Sequence, residues 1–198
     1  MFSKNLKESI DLKNKIIQET NLKVLSSIGD QIINSIKSGG KLLICGNGGS
    51  AADAQHLAAE LLVRLRPKYN RQSIPALSLA QDISTITACG NDFGYEHIFE
   101  RTLRGLGNSR DILLAITTSG NSENINLALK AAKEMGIKSF GFLGSSGGKA
   151  IDLCDEHFLV PSDNTARIQE VHITIGHALM EYIEDGLIES GYIELNKI

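Results

Sequence analysis

The sequence predicts an α/β fold with a parallel sheet covered by helices on both faces, and three observations predict it. Short apolar runs ending in glycine loops alternate with longer stretches of helical spacing. One grammar of strand, polar glycine loop and helix occurs twice, at residues 41–65 and 112–135. The composition, 42% hydrophobic against 22% charged over 198 residues, suits one domain with a full core.

In chain order, Leu6, Ile10, Ile17, Leu22, Leu25, Ile28, Ile32, Ile33 and Ile36 recur at roughly helical spacing before Gly39-Gly40, so residues 3–38 read as one or two amphipathic helices. Lys41 to Cys45 follows as a buried strand, Gly46 to Ser50 as a loop, and Ala51 to about Leu65 as a helix. Arg66 to Arg71 reads as a surface connection and Ile74 to Leu79 as a strand. After Ile83 to Cys89 comes a glycine-flanked polar cluster, Gly90 to His97, which reads either as a helix-linking turn or, through Asp92, as a hold on a ligand hydroxyl. Ile112 to Ile116 is the second clear strand, Thr117 to Ser122 its loop and Glu123 to Met135 its helix. Strands are expected at Lys138 to Leu143 and His157 to Val160. A closing helix runs from Thr165 to about Glu189, with Asp163, Asn164 or Thr165 as its cap.

In an open parallel sheet, ligands collect beyond the carboxyl ends of strands, where glycine admits a close approach and helix N-termini offer free N–H groups. Both loops lie at such ends. Thr117, Thr118, Ser119 and Ser122 add four hydroxyls, a composition that suits a phosphomonoester without any lysine, although the same residue types serve in ordinary turns and caps. Gly46 to Ser50 lacks the glycine spacing of a dinucleotide fingerprint. Gly144 to Ala150 lacks the Walker spacing and its hydroxyl residue after lysine.

A formal net charge of −3 provides no broad basic field for nucleic acid and no polybasic anchor for a membrane, and no run approaches the ~18 apolar residues of a spanning helix. A cytoplasmic protein without an export signal is the expectation. Cys45, Cys89 and Cys154 are odd in number and far apart, which points to small, mostly buried residues in a reducing compartment rather than to disulfides or a thiolate zinc site.

His56 and Glu60 stand four apart on a predicted helix, about 40° round its axis, so an imidazole and a carboxylate share one face. Such a pair can ligate a metal, supply a base, or be a surface hydrogen bond. Their helix begins at the first glycine loop. Arg64 is either a solvated helix end or a charge that keeps Glu60 ionised. On the closing helix His172 and His177 are about 140° apart and cannot easily face one pocket; composition leaves open which, if either, is chemical.

Taken in order, Cys45-Gly-Asn-Gly-Gly-Ser50, Asp53-Ala-Gln-His56 with Glu60, Gly90-Asn-Asp-Phe-Gly94, Thr118-Ser-Gly-Asn-Ser122 and Ala166-Arg-Ile-Gln-Glu-Val-His172 with His177 resemble the phosphoheptose isomerases, from about Lys41 to Ile183. Each motif is weak by itself, whereas the order and spacing together are specific. The wider family is the sugar isomerase (SIS) domain, a flavodoxin-like three-layer αβα sandwich with a central parallel sheet. On that reading residues 1–198 form a single SIS domain, with helices over 1–38 and the isomerase core over 41–183.

The resemblance implies conversion of sedoheptulose 7-phosphate to a glycero-manno-heptose 7-phosphate, toward activated heptose for bacterial lipopolysaccharide or capsule. Carried over by position, Glu60 is the base and His177 the acid. The family's zinc positions correspond to His56, Glu60, Gln169 and His177, one zinc per subunit. Its substrate contacts correspond to Asn47, Gly48, Gly49, Glu60, Asn91, Asp92, Thr117, Thr118, Ser119, Ser122 and Gln169. Ala51-Ala52 departs from the polar residues that some members carry there. The resemblance also implies a homotetramer with sites at subunit interfaces. Gln169 and His177 lie ~12 Å apart along one helix and ~80° round it, which favours ligands from symmetry-related helices, or a bend. Two alternatives use the same domain: a binding protein like the DnaA initiator-associating protein, which typically lacks the histidine and glutamate set, and an isomerase of a shorter phosphosugar.

Overall fold

The computed structural model describes residues 1–18 and 22–196. Its elements follow the predicted alternation. They are α1 (Phe2–Gln18), α2 (Leu22–Lys37), β1 (Leu42–Gly46), α3 (Gly49–Leu62), β2 (Asn70–Arg71), β3 (Ala76–Ser78), α4 (Ile83–Asp92), α5 (Ile98–Leu106), β4 (Ile112–Thr117), α6 (Glu123–Glu134), β5 (Lys138–Gly144), β6 (Glu156–Val160), α7 (Thr165–Glu189) and β7 (Leu195–Asn196). Two helices, α1 and α2, stand where one or two are predicted over 3–38, and residues 19–21 lie outside the described residues.

Five strands pair in the order β3-β1-β4-β5-β6, every neighbour parallel. Alternate residues point to opposite faces. Leu42, Ile44, Leu114, Phe140, Phe142 and Phe158 join a core built with α1, α2, α3 and α7. Leu43, Cys45, Leu113, Ala115 and Leu143 join a second core under α4, α5 and α6. Because both faces are covered, the central strands read as unbroken apolar runs. The chain leaves β1 toward β3 and later returns on β1's other side as β4, so the strand order reverses between β1 and β4. Gly46 pairs with Ile116, and the loops leaving these two strands therefore emerge side by side, where open α/β sheets bind ligands.

Three local expectations are corrected. Gly90 to Asp92 is the last turn of α4, not a linking turn; the Asp82 cap accepts a hydrogen bond from Ser84 N, and one internal glycine costs a helix only ~1 kcal/mol. The stretch α5 was not anticipated. Arg66 to Arg71 is not merely a surface connection: β2 pairs antiparallel with β7, and the Arg71 side chain is fully buried against Glu184 of α7. The closing helix matches its predicted limits, with Asn164 as the cap, accepting from Ala166 N.

Of the cysteines, Cys45 and Cys89 are buried and Cys154 half-buried, all as free thiols. Burial pushes the Cys154 thiol up to about 12, so it stays protonated. Among the described residues, no helix is long and apolar enough to cross a membrane.

His172 lies wholly in the core, with Nε2 3.3 Å from the Leu143 carbonyl oxygen. A carbonyl only accepts, so Nε2 carries the hydrogen. Burial pushes this imidazole down to about 4. Its folded value lies below the unfolded ~6.5, so the unfolded chain takes up the proton first; stability is complete above ~6.5 and is lost as pH falls toward 4. Between pH 7 and pH 5 this loss is on the order of 2 kcal/mol. Urea unfolding of the parent and of His172→Leu at both pH values checks it: the variant should lack this increment, and an equal loss in both would contradict it.

Candidate active site

The hydroxyl-rich loop between β4 and α6 borders the crevice. Thr117 is buried and its Oγ1 accepts from Gly120 N at 3.1 Å, bracing the loop while leaving its own O–H to donate. Ser119 is exposed, with Oγ accepting from Asn121 N at 3.2 Å. Thr118 and Ser122 are half-buried. Ser122 is the N-cap of α6, yet its side chain makes no capping bond, so its hydroxyl stands at a helix N-terminus uncommitted to the cap.

Across the crevice, Asn47 at the end of β1 exchanges two amide hydrogen bonds of 2.8 Å with Asn124 at the start of α6. Tyr95 Oη donates to Asn47 Oδ1, also at 2.8 Å. This ties the two loops together and leaves one N–H of Asn47 for a ligand. Asn124 and Tyr95 were missed as site residues. Asn91 and Asp92 are exposed at the end of α4, Asn91 donating to Asp92 at 2.7 Å.

Helices α3 and α7 run side by side in the same direction, since their contacts advance together. Gln169 rests on Gly49 at the head of α3, its Nε2 2.7 Å from where a Cβ at Gly49 would stand. At the middle of α7, Gly176 lets this helix approach Leu57; a Cβ there would lie 2.7 Å from Leu57 Cδ1. That close packing brings the flanking His177 to His56. Their Nε2 atoms are 2.9 Å apart, and His56 Nε2 is 3.2 Å from Glu60 Oε1.

These three ligand atoms lie within 4.8 Å of one another. Bond lengths of about 2.0–2.2 Å to zinc in a tetrahedral site place neighbouring ligand atoms about 3.3–3.5 Å apart, so the donor set and its spacing fit zinc. His172 points away into the core, as the angular argument required, and His177 is the histidine in the cluster. One chain thus brings His56, Glu60 and His177 together, while the Gln169 side chain lies against Gly49 of the first glycine loop.

Two further placements complete the region. Asp53, one turn before His56, was missed as a site residue. Its Oδ2 is buried without a hydrogen-bond partner, and burial raises its carboxyl above the usual range against the opposing pull of His56 and His177. Arg64 is exposed beyond the end of α3, which stops at Leu62, and so takes the solvated alternative.

The SIS domain family matches the chain over residues 6–144. The phosphoheptose isomerase of Clostridium acetobutylicum is 46% identical over 183 residues, covering 92% of each chain. That of Paramagnetospirillum magneticum is 55% identical over 152 residues, 77% of this chain and 78% of the other. The solved structure of a phosphoheptose isomerase from Francisella tularensis superposes with a TM-score of 0.88 at 37% identity, covering 93% of this chain and 96% of that one.

Proposed function

Starting from a chain that belongs to the SIS domain family, and within it to the phosphoheptose isomerases, we propose the residue roles by which it interconverts sedoheptulose 7-phosphate and glycero-manno-heptose 7-phosphate. The enzyme is an aldose-ketose isomerase of heptose biosynthesis. The observation that carries the assignment of roles is the convergence of His56, Glu60 and His177 between α7 and α3, the helix that begins at the first glycine loop. That set also weighs against the binding-protein alternative.

The phosphate is held by Thr118, Ser119 and Ser122 with N–H groups at the head of α6, while Asn47, Gly48, Gly49, Asn91, Asp92 and Gln169 border the sugar. Glu60 removes a proton from C1 of the ketose as His177 protonates O2, giving an enediol. His177 then takes the proton from O1 and Glu60 returns its proton to C2, which leaves the aldose. Atoms and protons balance without any external donor. His56, Glu60 and His177, with Gln169 as a fourth, would hold zinc, which when bound supplies Lewis-acid polarisation of the sugar oxygens. A carboxylate that serves as base keeps one oxygen for the proton, so Glu60 offers a metal at most its other oxygen, and His177 moves protons at one ring nitrogen and offers a metal only the other.

Ser119→Ala and Ser122→Ala should each weaken substrate binding by about 1 to 3 kcal/mol, because a charge-assisted donor to phosphate is lost. The loss should fall chiefly on KM. Free sedoheptulose binding the parent as tightly as its phosphate would contradict the loop's role.

The working form is a cytoplasmic homo-oligomer, a tetramer by analogy with the family, in which a neighbouring chain closes the pocket. Support comes from α1, where Phe2, Leu6 and Ile10 recur every four residues and are 82%, 66% and 58% exposed, a stripe of apolar surface open to a second copy. Sedimentation should show an oligomer that Leu6→Glu with Ile10→Glu disrupts together with activity. A fully active monomer would overturn this.

Sedoheptulose 7-phosphate assayed beside five- and six-carbon ketose phosphates tests the function itself.

A further inference from the structure

Glu184 stands seven residues after His177 on α7, two turns on and within about 20° of the same face. Its side chain and that of Arg71 are both 0% exposed. Arg71 Nε donates to Glu184 Oε1 at 2.5 Å, Nη1 donates to the Leu61 and Gln72 carbonyls at 2.9 Å each, and Nη2 donates to the Glu60 carbonyl at 2.9 Å. Arg66 Nε donates to Glu184 Oε2 at 2.6 Å, and its remaining nitrogens hold Asp185.

The last carbonyls of a helix lack intrahelical partners. Here two of them, at Glu60 and Leu61, are met by a guanidinium whose charge is answered on the helix that carries His177. Removing two charges from water is costly, and apolar residues of similar volume commonly stabilise such a position as well or better, so stability alone does not call for this pair. The planar fork instead fixes distances and directions between two helices. A slip of one residue along a helix moves a side chain by about 1.5 Å, and misplacement of about 1 Å can cost ~100-fold in rate.

We propose that Arg71 and Glu184 are positioning residues that lock the register of α3 on α7 and so hold Glu60 opposite His177. The proposal rests on the reading of Glu60 and His177 as the acid-base pair.

The test compares the full-length enzyme with Arg71→Lys, which keeps the charge and loses the fork, and with the paired Arg71→Met, Glu184→Met, which removes both charges. Arg66→Lys, at the partly exposed rim, serves as the mild reference. Turnover and KM are measured on sedoheptulose 7-phosphate, and crystal structures report the separations among His56, Glu60 and His177. In Arg71→Lys and the paired variant, kcat should fall ~10-fold or more with KM within ~3-fold, and Glu60 should move by about 1 Å relative to His177. A folded paired variant with parental kcat and parental separations would overturn the proposal. If that variant does not fold, the same two readouts on Arg71→Lys decide it. Should the parent itself not turn over the heptulose phosphate, the assigned function fails, while the separations still decide whether the clamp sets the register.

Discussion

Glu60→Gln should lower turnover by ~100-fold or more while leaving KM within a few-fold. The amide matches the carboxylate in shape, so the contact with His56 and the packing of α3 survive. What is lost is the ability to take a proton from carbon. The side chain is 17% exposed, at the edge of the crevice rather than in either core, so the melting temperature should hardly change. The opposite pattern, parental kcat with raised KM, would make Glu60 a binding residue and move the base elsewhere. Asp53 would then be the first place to look, since its carboxyl is half-buried, raised by burial and close to both histidines.

Removal of metal should abolish most of the activity, and zinc should restore it. The set of two imidazoles, a carboxylate and an amide contains no thiolate, so it should hold zinc less firmly than a cysteine cage and release it to chelators. His56 is 49% exposed, which gives a chelator access. His56→Ala should lower zinc content and turnover together. Full activity in protein shown to contain no metal would reduce zinc to a bystander.

Most of the layered architecture was legible in the sequence because a parallel sheet covered on both faces makes its central strands continuous apolar runs, as in Leu42 to Cys45 and Ile112 to Ile116. The crevice was legible for the same reason, since both glycine-containing loops follow those runs. The pairing of His56 with Glu60 is local, fixed by helical spacing. Their meeting with His177 is not local: it depends on Gly176 packing against Leu57, 119 positions away in the chain, and no spacing rule encodes that. Asn124, Tyr95, Arg71 and Glu184 escaped for a related reason. Each is a polar residue whose partner is distant in sequence, and Arg71 in particular sits in a polar stretch whose composition resembles a solvated loop. Asn91 and Asp92 stand in a glycine-flanked polar stretch whose composition suits a turn, whereas the Asp82 cap carries α4 through Gly90 to Asp92.

The most direct measurement follows by NMR the conversion of sedoheptulose 7-phosphate, beside ribulose 5-phosphate and fructose 6-phosphate, in deuterated water by the zinc-loaded enzyme. The heptulose phosphate should be converted with the highest kcat/KM, deuterium should enter C2 only as far as the proton held on Glu60 exchanges with solvent before its return, and Glu60→Gln should suppress turnover. Equal or greater activity on a shorter ketose phosphate, or conversion of the heptulose phosphate undiminished in Glu60→Gln, would contradict the assignment of this site.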